Sequence, residues 1–183
     1  GSELTRSGAK PGDWLYVTGT LGDAGAGLDI LQNKLSVNGE AKDVLVNRHY
    51  FPTPRVAVGT AIRRIATSCI DISDGLISDI KHILRASNCG ANVHVDRLPL
   101  SRALTSAVKP EQAMEYALSA GDDYELIFTV SEEQRGSLET SLASTNVKAT
   151  CIGQLTGHNG TLSLLKDNEK YTPLNESGYE HAF

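Results

Sequence analysis

The stretch "CIDISDGLISDI", residues 69–80, runs a short apolar segment into a helix, and this change of period decides what fold the chain can adopt. Leu76, Ile77, Ile80, Ile83 and Leu84 fall at i, i+1, i+4, i+7 and i+8. That spacing draws an apolar face more than ~100° wide, which must pack inward. Ser78, Asp79 and Arg85 are then expected to point toward solvent. Asp71, Ser73 and Asp74 crowd the turn itself, ahead of Gly75. Capping explains one such side chain, because Ser or Asp accepts the first free N–H groups of a helix. A cap needs a single acceptor, whereas this turn offers two carboxylates and a hydroxyl. Mg²⁺ takes hard oxygen ligands, commonly one or two carboxylates completed by water and phosphate oxygens. The turn therefore suits a magnesium site as well as a cap.

Outward from this stretch, helices and strands alternate. "DWLYVTG" (13–19) reads as a strand entered through the Lys10-Pro11-Gly12-Asp13 turn, followed by a helix carrying Leu28, Ile30, Leu31 and Leu35. "TPRVAVGTAIRRIA" (53–66) reads as a helix with Val58, Ile62 and Ile65 on one face. "ANVHVD" (91–96) is expected to be a strand, "PEQAMEYALSA" (110–120) a helix with Pro110 at its start, and "DYELIFTV" (123–130) a strand. A weaker helix at 132–144 and strands at 148–155 and 161–166 complete the pattern. No repeat or linker divides it. The expected architecture is one α/β (α+β) layer domain over residues 1–183, a mixed β-sheet covered by helices.

Composition excludes several classes of function. Hydrophobic residues are 40% and charged residues 21% of the 183, and no apolar run approaches the ~18 residues that span a bilayer. With 17 Lys and Arg against 22 Asp and Glu, the net charge is -5 and no basic block tracks a nucleic-acid backbone. Neither membrane nor nucleic acid is an expected partner. Cys69, Cys89 and Cys151 are scattered and odd in number, which fits reduced, buried thiols and a cytoplasmic location. The five histidines form no H-x-x-x-H pair.

Three further loops attract interest. "SAGDDYEL" sets Asp122 and Asp123 side by side at a strand entry, a pairing that surface loops also carry. "TRSGAKPGD" places Arg6 and Lys10 in a glycine-containing loop, suited to phosphate or to plain solvent. "GTLGDAGAG" lacks the Lys-Ser/Thr of a P-loop and is read as a tight turn with close helix packing. No G-x-S-x-G elbow and no H-R-D or D-F-G kinase set is present.

Taken in order, "LTRSGAKPGDWLYVTGTLGDAGAGL", "IDISDGLISDI", "GDDYELIF" and the terminal "GYEHAF" resemble the thiamine-monophosphate kinase family. That family belongs to the ATP-binding superfamily of aminoimidazole ribonucleotide synthetase and selenophosphate synthetase, whose members carry two α/β domains. The resemblance covers the second, C-terminal domain only. It implies transfer of the γ-phosphoryl of ATP to the phosphate of thiamine monophosphate, giving thiamine diphosphate and ADP, with Mg²⁺ as cofactor. An anionic phosphate oxygen needs no general base, so positioning and charge neutralisation suffice, and no catalytic side chain is expected beyond those that hold metal and substrate.

By motif, Asp71 and Asp74 resemble the family's magnesium ligands, and Ser73 and Arg6 its ATP contacts. Asp122 stands where the family has a substrate-binding glutamate, one methylene longer. Tyr179 matches a terminal aromatic that stacks on a thiamine ring, in a string that here carries an extra Ala182. The first domain would carry most metal-binding aspartates, so this chain by itself is expected to be inactive and monomeric, and the full-length protein a homodimer. Alternatives are another ATP-dependent synthetase of the superfamily and a silent ligand-binding module.

Overall fold

The computed structural model describes residues 3–174. In chain order the elements are β1 (Trp14–Thr18), α1 (Asp23–Leu31), α2 (Gly39–Tyr50), α3 (Val56–Ile62), β2 (Ala66–Asp71), α4 (Leu76–Ser87), β3 (Gly90–His94), α5 (Arg102–Ala107), α6 (Pro110–Ser119), β4 (Leu126–Val130), α7 (Arg135–Leu142), β5 (Ala149–Thr156), β6 (Leu162–Lys166) and β7 (Glu169–Lys170). Short 3₁₀ turns at Val95–Arg97 and Glu132–Gln134 join some of them. The strands form one sheet in the order β2-β4-β1-β5-β3-β6-β7. All neighbours are antiparallel except β3 and β6, so the sheet is mixed, as expected from the sequence.

Alternation along the strands sorts the apolar residues onto two faces. Leu15 and Val17 of β1 and Ile127 of β4 join the larger core, which α4 and α6 cover through Leu76, Ile80, Ile83, Leu84, Ala117 and Leu118. Tyr16 and Phe128 point the other way, directly paired across the strands and stacked with ring centroids 5.5 Å apart. There α3 and α7 cover them with Val58, Ile62, Leu138 and Leu142. A third cluster joins α1, α2, α5 and α6 through Ala26, Ile30, Leu45, Leu104 and Ala113. Here "GTLGDAGAG" does what its glycines suggest: a Cβ on Gly27 would collide with the Leu45 carbonyl, so α1 and α2 touch backbone to backbone.

Several local expectations fail for physical reasons. α1 stops at Leu31 rather than reaching Leu35, because Asn33 turns left-handed at φ 57°. The 53–66 stretch divides: α3 ends at Ile62 and Ala66 already belongs to β2. The 123–130 strand starts only at Leu126, since Asp122 and Tyr124 adopt φ 65° and 51°, which no strand contains. α2 and α5 have no counterpart in the sequence reading. The "GEAKDVLVNRHY" of α2 buries Leu45 alone, leaving too little apolar signal to announce a helix. Cys69 and Cys89 are buried and Cys151 half-buried, all three as free thiols. Burial pushes the Cys69 thiol up to about 12, which makes it inert.

Candidate functional site

The two acidic turns lie against each other. Beyond the regular pairing of β2 with β4, Ile72 donates to the Glu125 carbonyl at 2.8 Å, Tyr124 to the Ile72 carbonyl at 2.9 Å and Asp122 to the Ser73 carbonyl at 3.1 Å. These bonds sew "DISDG" to "GDDYE" along their backbones. Left-handed Asp122 and Tyr124 make the register possible, and a bulky Tyr there is a costly choice of the kind found at sites where geometry is over-determined. Gly75 begins α4 at φ 112°, and a Cβ there would come within 2.7 Å of the Ser119 carbonyl. The turn therefore also abuts the end of α6.

Neither Ser73 nor Asp74 caps α4, whose N-cap Gly75 has no side chain to offer. Asp79, expected to face solvent, is instead buried and reaches back to accept the N–H groups of Ser73 and Asp74, each at 3.0 Å. Its place on the inner side of the first helical turn lets the carboxylate fold under the loop. Burial raises its pKa against the lowering influence of those two N–H bonds. The carboxylates of Asp71 and Asp74 are thereby left free of capping duty, at exposed and half-buried positions. Hard oxygen donors on a loop pinned from beneath fit Mg²⁺, and Asp74 and Asp79 also place ligand atoms within 4.8 Å of one another and of His82.

Behind the turns lies a charged network that the sequence did not reveal. Glu125 is 1% exposed and accepts two bonds from Arg55, at 2.7 and 2.8 Å, one from Arg48 at 3.1 Å and one from the Thr18 hydroxyl at 2.5 Å. Asp23 is buried beside Arg48 at 3.7 Å and takes hydroxyl bonds from Thr20 and Ser101. Asp123, 4% exposed, accepts the Gly22 N–H at 2.9 Å, and its other oxygen has no partner among the described residues. Burial, assisted by the nearby Asp23, pushes Asp123 up to about 7. With a proton on Asp123, two carboxylates balance two guanidiniums. The available signal was faint: a run of three acids in "DDYE", one of them at an inward strand-entry position.

Two cavities flank the stitched turns. One of about 830 Å³ is lined by Ser73, Asp74 and Asp122 together with Asp29, Glu115 and Tyr116 among others. The second, about 490 Å³, has Asp71 and Tyr124 at its wall with Leu4, Arg55 and Val56. Asp71, Ser73, Asp74 and Asp122 are thus brought together. Arg6 is exposed and lines neither of these two cavities. Tyr179 lies outside the described residues.

Thiamine-monophosphate kinase of Escherichia coli (strain K12) is 54% identical over 183 residues, covering 99% of this chain and 56% of that protein. The crystal structure of thiamine-monophosphate kinase from Stenotrophomonas maltophilia K279a superposes with a TM-score of 0.83 at 37% identity, over 93% of this chain and 55% of that one. A structure described as "AaThiL complexed with AMPPCP and TMP" gives a TM-score of 0.77 at 32% identity, over 93% of this chain and 52% of that one. The chain spans a little over half the length of these relatives. Residues 10–164 match the family described as "AIR synthase related protein, C-terminal domain". With that match covering most of its length, and with the mixed sheet and helices of the related structures, the chain belongs to the AIR synthase related C-terminal domain family.

Proposed function

We propose that this chain is the C-terminal domain of a cytoplasmic, homodimeric kinase that transfers the γ-phosphoryl of ATP to thiamine monophosphate, forming thiamine diphosphate and ADP. The observation that carries this reading is the backbone stitching of "DISDG" to "GDDYE". It sets Asp71, Ser73, Asp74 and Asp122 on one rim between two cavities. Asp71 and Asp74 would hold Mg²⁺, which when bound neutralises crowded phosphate oxygens. Ser73 and Arg6 contact ATP, and Asp122 and Tyr179 contact the thiamine moiety. The acceptor is already an anionic phosphate oxygen, so the chain's task is to align two negatively charged partners, not to remove a proton. Relatives named as this kinase, at 54% identity across nearly the whole chain, support the reading.

The test is formation of thiamine diphosphate from ATP and thiamine monophosphate by the full-length protein, followed chromatographically with and without Mg²⁺. Metal-dependent product is expected. Its absence at millimolar substrates and Mg²⁺ overturns the proposal.

A further inference from the structure

The wall of the larger cavity contains two polar atoms that find no bonding partner among the described residues. Oε2 of Glu115 and Oγ of Ser119 are both cut off from solvent and lack hydrogen-bond partners among the described residues, and both residues line the cavity. They stand four residues apart on α6, so they share one face of the helix, one turn apart. Each is an uncompensated desolvation in the free protein, which a structure tolerates where a ligand completes the bonding. The other contacts of Glu115 come from the last described segment: Oε1 accepts the backbone N–H of Leu174, an exposed residue, and the Tyr171 hydroxyl lies within reach of the carboxylate.

The two groups are complementary in kind. A carboxylate oxygen accepts only, whereas a hydroxyl donates as well. An amine beside a ring nitrogen, as on a 4-aminopyrimidine edge, presents a donor next to an acceptor and matches that pair. Thiamine and adenine both carry such an edge. The charge of the cavity separates them: Asp29, Asp74, Glu111, Glu115 and Asp122 line it against Lys109. So acidic a wall favours a ligand bearing a fixed cation, such as a thiazolium, over the base of a nucleotide triphosphate. Tyr116 adds an aromatic surface, and its hydroxyl is tied to Asp29 at 2.6 Å.

We propose that Glu115 and Ser119 are specificity-determining residues that read the aminopyrimidine edge of thiamine monophosphate, Glu115 accepting from the amine and Ser119 donating to the ring nitrogen. The assignment rests on the kinase reading above and adds two residues to it.

The experiment compares wild type, Glu115→Gln and Ser119→Ala as full-length proteins, with thiamine monophosphate and its 4-oxo analogue (oxythiamine monophosphate) as acceptors. Thermal midpoints are recorded for each variant. Gln keeps the shape, loses the charge and can turn its amide to donate to an oxo group. Glu115→Gln is expected to reduce the preference for the amino over the oxo substrate by about tenfold or more, as removing a charged hydrogen bond does. Ser119→Ala is expected to raise KM for thiamine monophosphate several-fold. KM for ATP and the thermal midpoints should stay near wild type. An unchanged amino/oxo preference in an active Glu115→Gln enzyme overturns the inference and leaves the kinase reading standing. A rise confined to KM for ATP overturns it in favour of adenine. If wild type makes no thiamine diphosphate, the kinase reading and this assignment fall together.

Discussion

Arg55 grips Glu125 with two parallel hydrogen bonds, from Nε at 2.8 Å and from Nη2 at 2.7 Å, across a sequence separation of 70 residues. The fork anchors the α3 entry to the residue just ahead of β4, directly behind the stitched turns. The Glu125 contact holds the Arg55 guanidinium above its ordinary pKa. Breaking a buried pair by removing one partner leaves an uncompensated charge, which typically costs about 3–5 kcal/mol. Arg48 and Thr18 still serve Glu125, so Arg55→Leu is expected near the lower end, about 3 kcal/mol. Urea denaturation measures it. A loss below ~0.5 kcal/mol, the range of ordinary surface changes, would show that Arg48 alone suffices.

Asp123 makes stability depend on pH in an unusual direction. Its folded pKa of about 7 lies above the ~3.9 of an unfolded aspartate. Between those values the folded state binds more protons, so stability is greatest at the acid end and falls as pH rises from about 4 through 7. The half-buried Arg48 lowers the Asp123 pKa and Asp23 raises it, and burial still dominates. Asp123→Asn, which still accepts the Gly22 N–H, is expected to flatten this dependence and to stabilise the protein at pH 8 by roughly 2–4 kcal/mol. Thermal melts across pH 4–8 decide it. Parallel curves for the two proteins would refute the assignment.

Asp71→Asn and Asp74→Asn separate a metal role from a helix-starting one. Asn caps helices about as well as Asp, so a structural role predicts little change. A ligand role predicts normal melting with kcat in the full-length protein down by at least ~100-fold, roughly 2.7 kcal/mol of transition-state stabilisation. Raised Mg²⁺ should partly restore activity. Full activity of both variants at ordinary Mg²⁺ would return the aspartates to the surface.

Asp79 acts through the turn it supports. Asp79→Ala strands the N–H groups of Ser73 and Asp74, and a buried unsatisfied group costs about 1–3 kcal/mol. The expected result is a lowered denaturation midpoint together with a higher Mg²⁺ concentration for half-maximal activity. Asp79→Asn retains one acceptor and should be milder on both counts. Equal effects of the two substitutions would mean that charge, not loop support, is the contribution of Asp79.

Long-period features were legible in the sequence. The apolar face of Leu76, Ile80, Ile83 and Leu84 and the alternation of Leu15, Tyr16 and Val17 each repeat often enough to name their element and its buried side. Asp71, Ser73 and Asp74 stood out because three oxygen-bearing side chains in one turn exceed what capping requires. What stayed hidden depends on partners distant in the chain. Glu125 looks like an outward strand residue until Arg48 and Arg55 arrive from another layer. Asp79 sits on a helix whose periodicity marks it polar, and only the loop folding over it makes it an interior acceptor. Glu115 and Ser119 carry no local mark at all, since an unpaired atom is defined by what its surroundings fail to supply.

The position of β1 sets a schedule for folding. It occupies the interior of the sheet, yet both neighbours come late: Trp14 pairs with Val130 of β4 and with Gln154 of β5. On a ribosome adding about 5–20 residues per second, the first of these partners emerges on the order of 10 s after β1. Throughout that interval Leu15, Tyr16 and Val17 form a strand with two open hydrogen-bonding edges and apolar side chains on both faces. Such non-local pairing slows folding and invites intermolecular association. The nascent protein is accordingly expected to depend on chaperone shielding until β4 is released, and a chain arrested before Leu126 to aggregate where the finished domain does not.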